Sequence, residues 1–468
     1  MVNQLTIIGP TQKNRRPDVI LYINGFPLVL IELKDFTNPS AKVKRAWQQI
    51  QTYKDDIPQL FVTNAVLVAS DGVITRMGSL TAGWERFGHW REIDGQTPPP
   101  KTMTSLEVLT RGLLEKRCLL DYIRHFILFE NHDGIIKKIA AYHQYYAVNT
   151  SVAQTVAALK PIGNGKAGVV WHTQGSGKSI SMVFYAAKLI THPTAKNPTL
   201  VLITDRNDLD GQLFTQFSRS AQLLNSTPIQ ATSRDNLRQL LQVASGGVVF
   251  TTMQKFTRKR ARKDTNGKII ETGEMHYPCL SERENVILIA DEAHRTQYNF
   301  ARGLADNLQR ALPNATRIGF TGTPIEFEDR NTPEIFGDYI DTYTLSQAVK
   351  DQATVPIFYE ARLAKLDLPE KEKPKVDESF EELTEDEDEG TQAKLQRKWS
   401  ELEALISTPK RLKLLARDIT DHWRRRTEIL RGKAMIVTIS RRVAAKLYNQ
   451  IVRLNPHWHD DDIDKGCL

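Results

Sequence analysis

Five short apolar runs constrain this chain more than any other feature: "AGVVW" (167–171), "TLVLIT" (199–204), "GVVFTT" (247–252), "NVILIA" (285–290) and "TRIGFT" (316–321). A longer helix-like or polar stretch separates each from the next. Continuous apolar strands that alternate with helices imply a parallel sheet covered on both faces. The 468 residues leave room for roughly two to four domains, each with its own core.

The first run leads into "WHTQGSGKS" (171–179). Gly175 and Gly177, with Ser176 between them, let backbone amides turn toward phosphate with no Cβ in the way. Lys178 brings charge to the β- and γ-phosphates of a nucleotide, and Ser179 can ligate Mg²⁺. The helix-like "SISMVFYAAKLI" that follows points its N-terminus at the phosphates. His172 stands where a generic phosphate loop has glycine, although the QGSGKS end is intact. In "ILIADEAHR" (287–295) an apolar strand ends in Asp291, placed to hold Mg²⁺, and Glu292, placed to polarise an attacking water. In "GFTGTPIE" (319–326), Thr321, Gly322 and Thr323 suit a loop that senses phosphate state, though "TGTP" by itself is simply a good turn. Upstream, "YHQYYAV" (142–148) offers Gln144, whose amide can read adenine through two hydrogen bonds. Together these elements predict an ATP site.

A second chemistry sits near the N-terminus. In "RPDVILYINGFPLVLIELK" (16–34), Asp18 precedes one strand, while Glu32 and Lys34 share a face of the next. "NG" marks the hairpin turn between them. With a plain two-residue loop Asp18 faces Ile31, and Glu32 lies on the other side. Metal-dependent phosphodiester cleavage needs both carboxylates on one face to hold Mg²⁺, with the lysine steadying charge. A nuclease reading therefore requires an odd-length loop or a compensating bulge; the competing reading is an edge hairpin that merely ends in charged residues. Gln49 and Tyr53, at i and i+4 of the helical "AKVKRAWQQIQTYKDDI" (41–57), fit either a plain surface or contact with a DNA backbone.

The rest of the chain sets boundaries. Short β-rich runs occupy residues 1–100, the prolines of "TPPPK" (97–101) mark a boundary, and 105–147 reads as mostly helical. Formal net charge is +8, compatible with a nucleic-acid partner. The acidic "EKEKPKVDESFEELTEDEDEG" (370–390) reads as a solvated linker or insertion. After it come an amphipathic helical stretch (393–431) and a strand–helix unit, "KAMIVTISRRVAAKLYNQIV" (433–452). Three dispersed cysteines without a CxxC pair argue against a zinc site or a disulfide framework. With no apolar run near ~18 residues and no signal pattern, the expectation is a soluble, cytoplasmic protein without membrane contact.

As a set, these motifs resemble superfamily-2 helicase-like motors and, more closely, the restriction (R) subunit of type I restriction–modification enzymes. The resemblance spans nearly the whole chain. It rests on the RPD…ELK hairpin, the Gln49–Tyr53 pair, YHQ, WHTQGSGKS, "LITDRNDLDGQL" (202–213), "FTTMQKF" (250–256), DEAH, "FTGTP" and "KAMIVTISRR" (433–442). The fold it implies is α/β: a PD-(D/E)xK-type nuclease domain over 1–100, a helical connector with the adenine motif over 101–150, and a RecA-like ATPase lobe over 151–345. An acidic linker and the start of a second, incomplete RecA-like lobe would fill 346–468. The implied activity is ATP-driven double-stranded DNA translocation coupled to Mg²⁺-dependent cleavage, within a complex holding methyltransferase and specificity subunits. By that resemblance Lys178, Ser179, Asp291 and Glu292 carry hydrolysis, Gln144 meets adenine, and Asp18, Glu32 and Lys34 carry cleavage. Arg206, Thr251 and Thr252 would track the DNA backbone. Two departures stand out: only 17 residues precede Asp18, and the later second-lobe motifs that supply arginines to the γ-phosphate are not found. A nucleotide- and DNA-binding chain with little turnover, or a stand-alone repair helicase–nuclease, are the alternatives.

Overall fold

A computed structural model describes residues 1–35, 37, 43–131, 134–204, 207–258, 262–263, 269–271, 276–293, 305–323, 335–359, 407–429, 432–460 and 462. Arg206 and the acidic stretch 370–390 lie outside the described residues. The chain divides into two units, Met1–Pro356 and Ile357–Leu468. Among the described residues no helix is long and apolar enough to cross a membrane.

The first unit opens with a five-stranded sheet ordered β1 (Val2–Asn3), β2 (Val19–Ile23), β3 (Phe26–Leu33), β4 (Val66–Ser70) and β5 (Thr75–Gly78). Only the central β3–β4 pair is parallel. This connection requires a crossover, which helix α1 (Val43–Asp56) supplies. Apolar positions Val43, Ala46, Ile50 and Tyr53 recur at helical spacing and bury against Ile20, Leu30, Leu67 and Ala69 on one face of the sheet. The opposite face, with Val29, Ile31, Val66 and Val68, joins the largest apolar cluster of the molecule. That cluster also takes in Val170, Phe184, Leu202 and Phe320 from the next sheet.

Between the two sheets lie α2 (Ser105–Arg111), α3 (Lys116–His125), an antiparallel hairpin of β6 (Ile127–Asn131) and β7 (Ile135–Ile139), and α4 (Tyr142–Ala158). Residues 105–147 were expected to be mostly helical, and the hairpin corrects that expectation over 127–131 and 135–139. Its anchors are distant in sequence: Ser79 Oγ donates to the Lys137 carbonyl at 2.5 Å, and the Lys137 amide donates to Thr81 Oγ1 at 2.9 Å.

The second sheet is seven-stranded and wholly parallel, the architecture of a RecA-like lobe. Four of its strands are β8 (Lys166–His172), β9 (Thr199–Thr204), β10 (Ile229–Gln230) and β11 (Val248–Thr252). The others are β12 (Val286–Asp291), β13 (Thr316–Thr321) and β14 (Tyr339–Tyr343), in the spatial order β10-β11-β9-β12-β13-β8-β14. All five apolar runs form strands within a residue or so of the expected ends. Helix α5 (Lys178–Ile190) follows β8, and α6 (Asn207–Arg219) follows β9. Helix α7 (Leu345–Lys350) closes the lobe after β14.

In the second unit, α8 (Pro409–Ile429) packs on α9 (Arg441–Leu454) through Leu412, Ala416, Val443, Leu447 and Ile451. The stretch 433–440, expected as a strand, is not one among the described residues. Met435 and Val437 are exposed there, and without a neighbouring strand its backbone groups have no ladder to join.

Candidate active sites

Strand register decides whether the N-terminal carboxylates meet. Asn24 and Gly25 both have positive φ, 50° and 83°, as a tight two-residue hairpin turn requires. Ile23 pairs with Phe26 and Tyr22 with Pro27, but Leu21 then pairs with Val29, which leaves Leu28 as an extra residue. That bulge shifts the remaining pairs to Ile20 with Leu30 and Val19 with Ile31. One step further on, Asp18 faces Glu32. The hairpin thus takes the bulged alternative, and both carboxylates lie on the face that α1 covers.

Asp18 Oδ2 accepts the Leu33 amide at 2.8 Å, and Lys34 Nζ reaches Glu32 Oε1 at 2.7 Å. The Tyr53 hydroxyl stands 3.4 Å from the same oxygen. Burial drives the Glu32 carboxyl above its ordinary pKa, against the pull of the Lys34 hydrogen bond, and the Asp18 charge adds to the rise. Glu32 Oε2 is buried with no hydrogen-bond partner. A buried carboxylate oxygen left unpaired beside a second carboxylate is the donor set a divalent cation satisfies. Among the described residues no group of three or more His, Cys, Asp and Glu is placed to hold a metal ion. Tyr53 is only 4% exposed. It faces inward to Glu32, a correction to its reading as a surface contact, while Gln49, half-buried, lies beside the same hydroxyl.

The second site is built at the carboxyl ends of adjacent parallel strands, where ligands bind in sheets of this kind. Trp171 of β8 registers with Thr321 of β13, and Asp291 of β12 with Phe320. The loop 173–177, Asp291–Glu292 and Thr321–Thr323 therefore emerge side by side. Gly175 and Gly177 both take φ of 84°, and a Cβ at Gly177 would meet the Gln144 amide nitrogen at 2.7 Å. Lys178 Nζ lies 3.3 Å from the His172 carbonyl oxygen and 3.9 Å from Glu292 Oε1. Gly322 closes on the same ammonium, because a Cβ there would approach it to 2.5 Å. Its amide donates to Glu292 Oε2 at 3.4 Å. Thr321 is buried and exchanges hydrogen bonds with the Thr323 backbone. Ser179, on the first turn of α5, is exposed, and Ser176 Oγ is buried without a partner. An ammonium, a glycine-bearing loop at a helix N-terminus and two adjacent carboxylates fit a magnesium nucleotide.

Burial and the Glu292 carboxylate push Asp291 up to about 6, well above an ordinary aspartate. A raised folded-state pKa means the native chain binds the proton more tightly than the unfolded chain. Stability then falls as pH rises through about 6, and the penalty is complete above it. Asp291→Asn removes the penalty. Differential scanning fluorimetry of the nucleotide-free chain should show Tm rising by a few degrees at pH 8 and hardly at all at pH 4.

Gln144 does not hang free for adenine. It is 6% exposed; its oxygen accepts the Ala141 amide at 2.9 Å and its nitrogen donates to the Gly177 carbonyl at 3.1 Å. Here it braces α4 against the loop. His172, the odd residue of the loop sequence, is fully buried as the last residue of β8 and pairs through Nε2 with Asp341 Oδ1 at 2.6 Å. It ties β8 to its neighbour, the edge strand β14. Neither Thr251 nor Thr252 is on the surface: both are buried at the end of β11, and Gln254 and Lys255 beyond them carry the polar exposure. Any DNA contact from this motif falls to those later residues, and Arg206 lies outside the described residues.

Sequence reasoning missed His143, Tyr142, Asp341, Tyr343 and Asp351. His143 Nε2 donates to the Ser176 carbonyl at 3.0 Å, and its ring stacks on Tyr343 at 3.9 Å. Burial, with His172 nearby, lowers its pKa to about 4, so the imidazole is neutral. His143 stands next to Gln144 in "YHQ", and that adjacency was the one available signal. Tyr142 shares that motif, whereas Asp341 and Tyr343 lie on a short edge strand and Asp351 lies past a short helix.

Two family profiles match: the type I restriction enzyme R protein N terminus over residues 1–86, and the SWI2/SNF2 ATPase over residues 143–393. The HindI endonuclease subunit of a type I restriction enzyme from Haemophilus influenzae is 46% identical, across 100% of this chain and 44% of its own length. A Methanocaldococcus jannaschii protein, MjaIXP, provisionally named the endonuclease subunit of a type I restriction enzyme, is 37% identical across 94% of this chain and 42% of its own. The chain spans less than half the length of these curated relatives. The nuclease-type hairpin, the ATPase lobe behind it and these likenesses agree: the chain belongs to the R-subunit family of type I restriction enzymes.

Proposed function

We propose that this chain hydrolyses ATP to translocate double-stranded DNA and couples that movement to Mg²⁺-dependent cleavage, working with methyltransferase and specificity subunits. The observation that carries the reading is that Lys178, Glu292 and Gly322 converge on one loop mouth, in the same compact unit as the Asp18–Glu32–Lys34 face.

Lys178 exchanges its contacts to His172 and Glu292 for the phosphates, and the loop amides and the α5 N-terminus receive the remaining charge. Once the lysine moves to the phosphates, Glu292 takes a proton from the attacking water. Gly322, touching both Lys178 and Glu292, registers whether the γ-phosphate is present. At the other site Lys34 orients the nucleophile and steadies the phosphorane-like charge, with Tyr53 holding Glu32 from below. Ser179 and Asp291 would hold Mg²⁺ in one site and Asp18 and Glu32 in the other, where it would supply Lewis acidity at phosphate oxygens.

DNA-stimulated ATP hydrolysis and nicking of supercoiled plasmid test the proposal together. ATP turnover that DNA does not raise overturns the motor. Nicking that proceeds equally in EDTA overturns the metal-dependent nuclease.

A further inference from the structure

The contacts that hold the phosphate loop continue, unbroken, into the nuclease body. Asp351, one residue past α7, has a side chain only 7% exposed. Its Oδ2 accepts two hydroxyls, from Tyr142 at 2.6 Å and Tyr343 at 2.8 Å. Its Oδ1 pairs with Arg91 Nε, and Arg91 Nη2 also donates to the Lys350 carbonyl at 3.1 Å. Arg76 of β5 grips the next residue, donating to Gln352 Oε1 at 2.5 Å. On the loop side, Tyr343 lies flat on His143, with an interplanar angle of 8°, and His143 holds the Ser176 carbonyl. The path from loop to nuclease is thus Ser176, His143, Tyr343, Asp351, Arg91.

The seam does not need this bridge to cohere, because one apolar cluster already runs from Val29 and Val66 through to Val170 and Phe320. A buried carboxylate adds little stability over an apolar seam, but removing its partner is costly. Such a contact is therefore sensitive to small displacements on either side. We infer that Asp351 is a positioning residue that couples the phosphate loop to the nuclease body through the Arg91 ion pair. Nucleotide at the loop then changes the nuclease body, and by reciprocity a change at Arg91 alters nucleotide affinity. The inference rests on the reading that the loop binds nucleotide.

The test uses the whole chain, with a fluorescent N-methylanthraniloyl ATP and Mg²⁺ as the probe. Amide hydrogen exchange over residues 76–94 is followed with and without the nucleotide. In the wild type, nucleotide slows that exchange. Arg91→Ala weakens nucleotide binding by about fivefold, within the usual range for coupled sites, although Arg91 touches no loop residue, and it abolishes the exchange response. Arg91→Lys restores most of both, which a purely structural loss would not show. If Arg91→Ala fails to fold by circular dichroism, Tyr343→Phe, which keeps the ring stack and loses one hydroxyl, is judged by the same criteria. Binding within twofold of wild type together with an intact exchange response overturns the coupling alone. A wild-type chain that binds no nucleotide overturns both the coupling and the loop reading.

Discussion

Lys178→Ala should lower DNA-stimulated ATP turnover by about a hundred- to a thousandfold, the usual cost of removing a pre-placed charge at a developing negative centre. The geometry makes this expectation specific. The ammonium is poised between the His172 carbonyl and Glu292, with Gly322 against it. Its loss removes the phosphate's counter-charge and leaves Glu292 and Asp291 as adjacent carboxylates with the nearby cation gone. Turnover by the variant within tenfold of wild type, in a coupled phosphate-release assay, would mean that the loop is not the hydrolytic site.

The second large effect belongs to the carboxylate pair. Asp18→Ala should reduce Mg²⁺-dependent nicking by at least about a hundredfold, because it removes a carboxylate proposed to hold the metal and the acceptor that pins the Leu33 amide. Glu32→Gln should silence nicking equally but with an opposite sign on stability. The folded chain holds the Glu32 carboxyl above its ordinary pKa, chiefly through burial, so the ionised form costs stability at neutral pH. The amide keeps the shape, removes the buried charge and should raise Tm near pH 7, while Lys34, a quarter exposed, retains access to solvent. Plasmid nicking and a melting curve on the same preparations check both halves. Wild-type nicking by Asp18→Ala would place the nuclease centre elsewhere.

These sites were unevenly legible in the sequence. The five runs of the large sheet could be read because strands buried on both faces advertise themselves in five or six consecutive residues. The two-residue β10 and the polar edge strand β14 carry no such run, and both were missed. Chemistry confined to one strand end or one loop, as at Lys178 and Asp291, was equally plain. What could not be read was who holds whom. His172 meets Asp341 across 169 residues and Arg91 meets Asp351 across 260, and neither spacing leaves a local trace. Two residues were placed beside the candidate sites while their orientation was not read. Tyr53 turns inward to Glu32, and Gln144 spends both amide ends inside the protein, because burial demands partners that a surface position would not.

The extra residue at Leu28 is what lets a two-residue turn coexist with Asp18 opposite Glu32. The pairs beyond it, Leu21 with Val29, Ile20 with Leu30 and Val19 with Ile31, do not use Leu28, and Glu32 is held a second time by its register with Ala69. A chain lacking Leu28 would therefore close as a regular hairpin with both carboxylates still on one face, whereas restoring an unbulged ladder without removing a residue would bring Ile31 opposite Asp18. The bulge is a length correction, and the face it protects is set by the strands on either side of it.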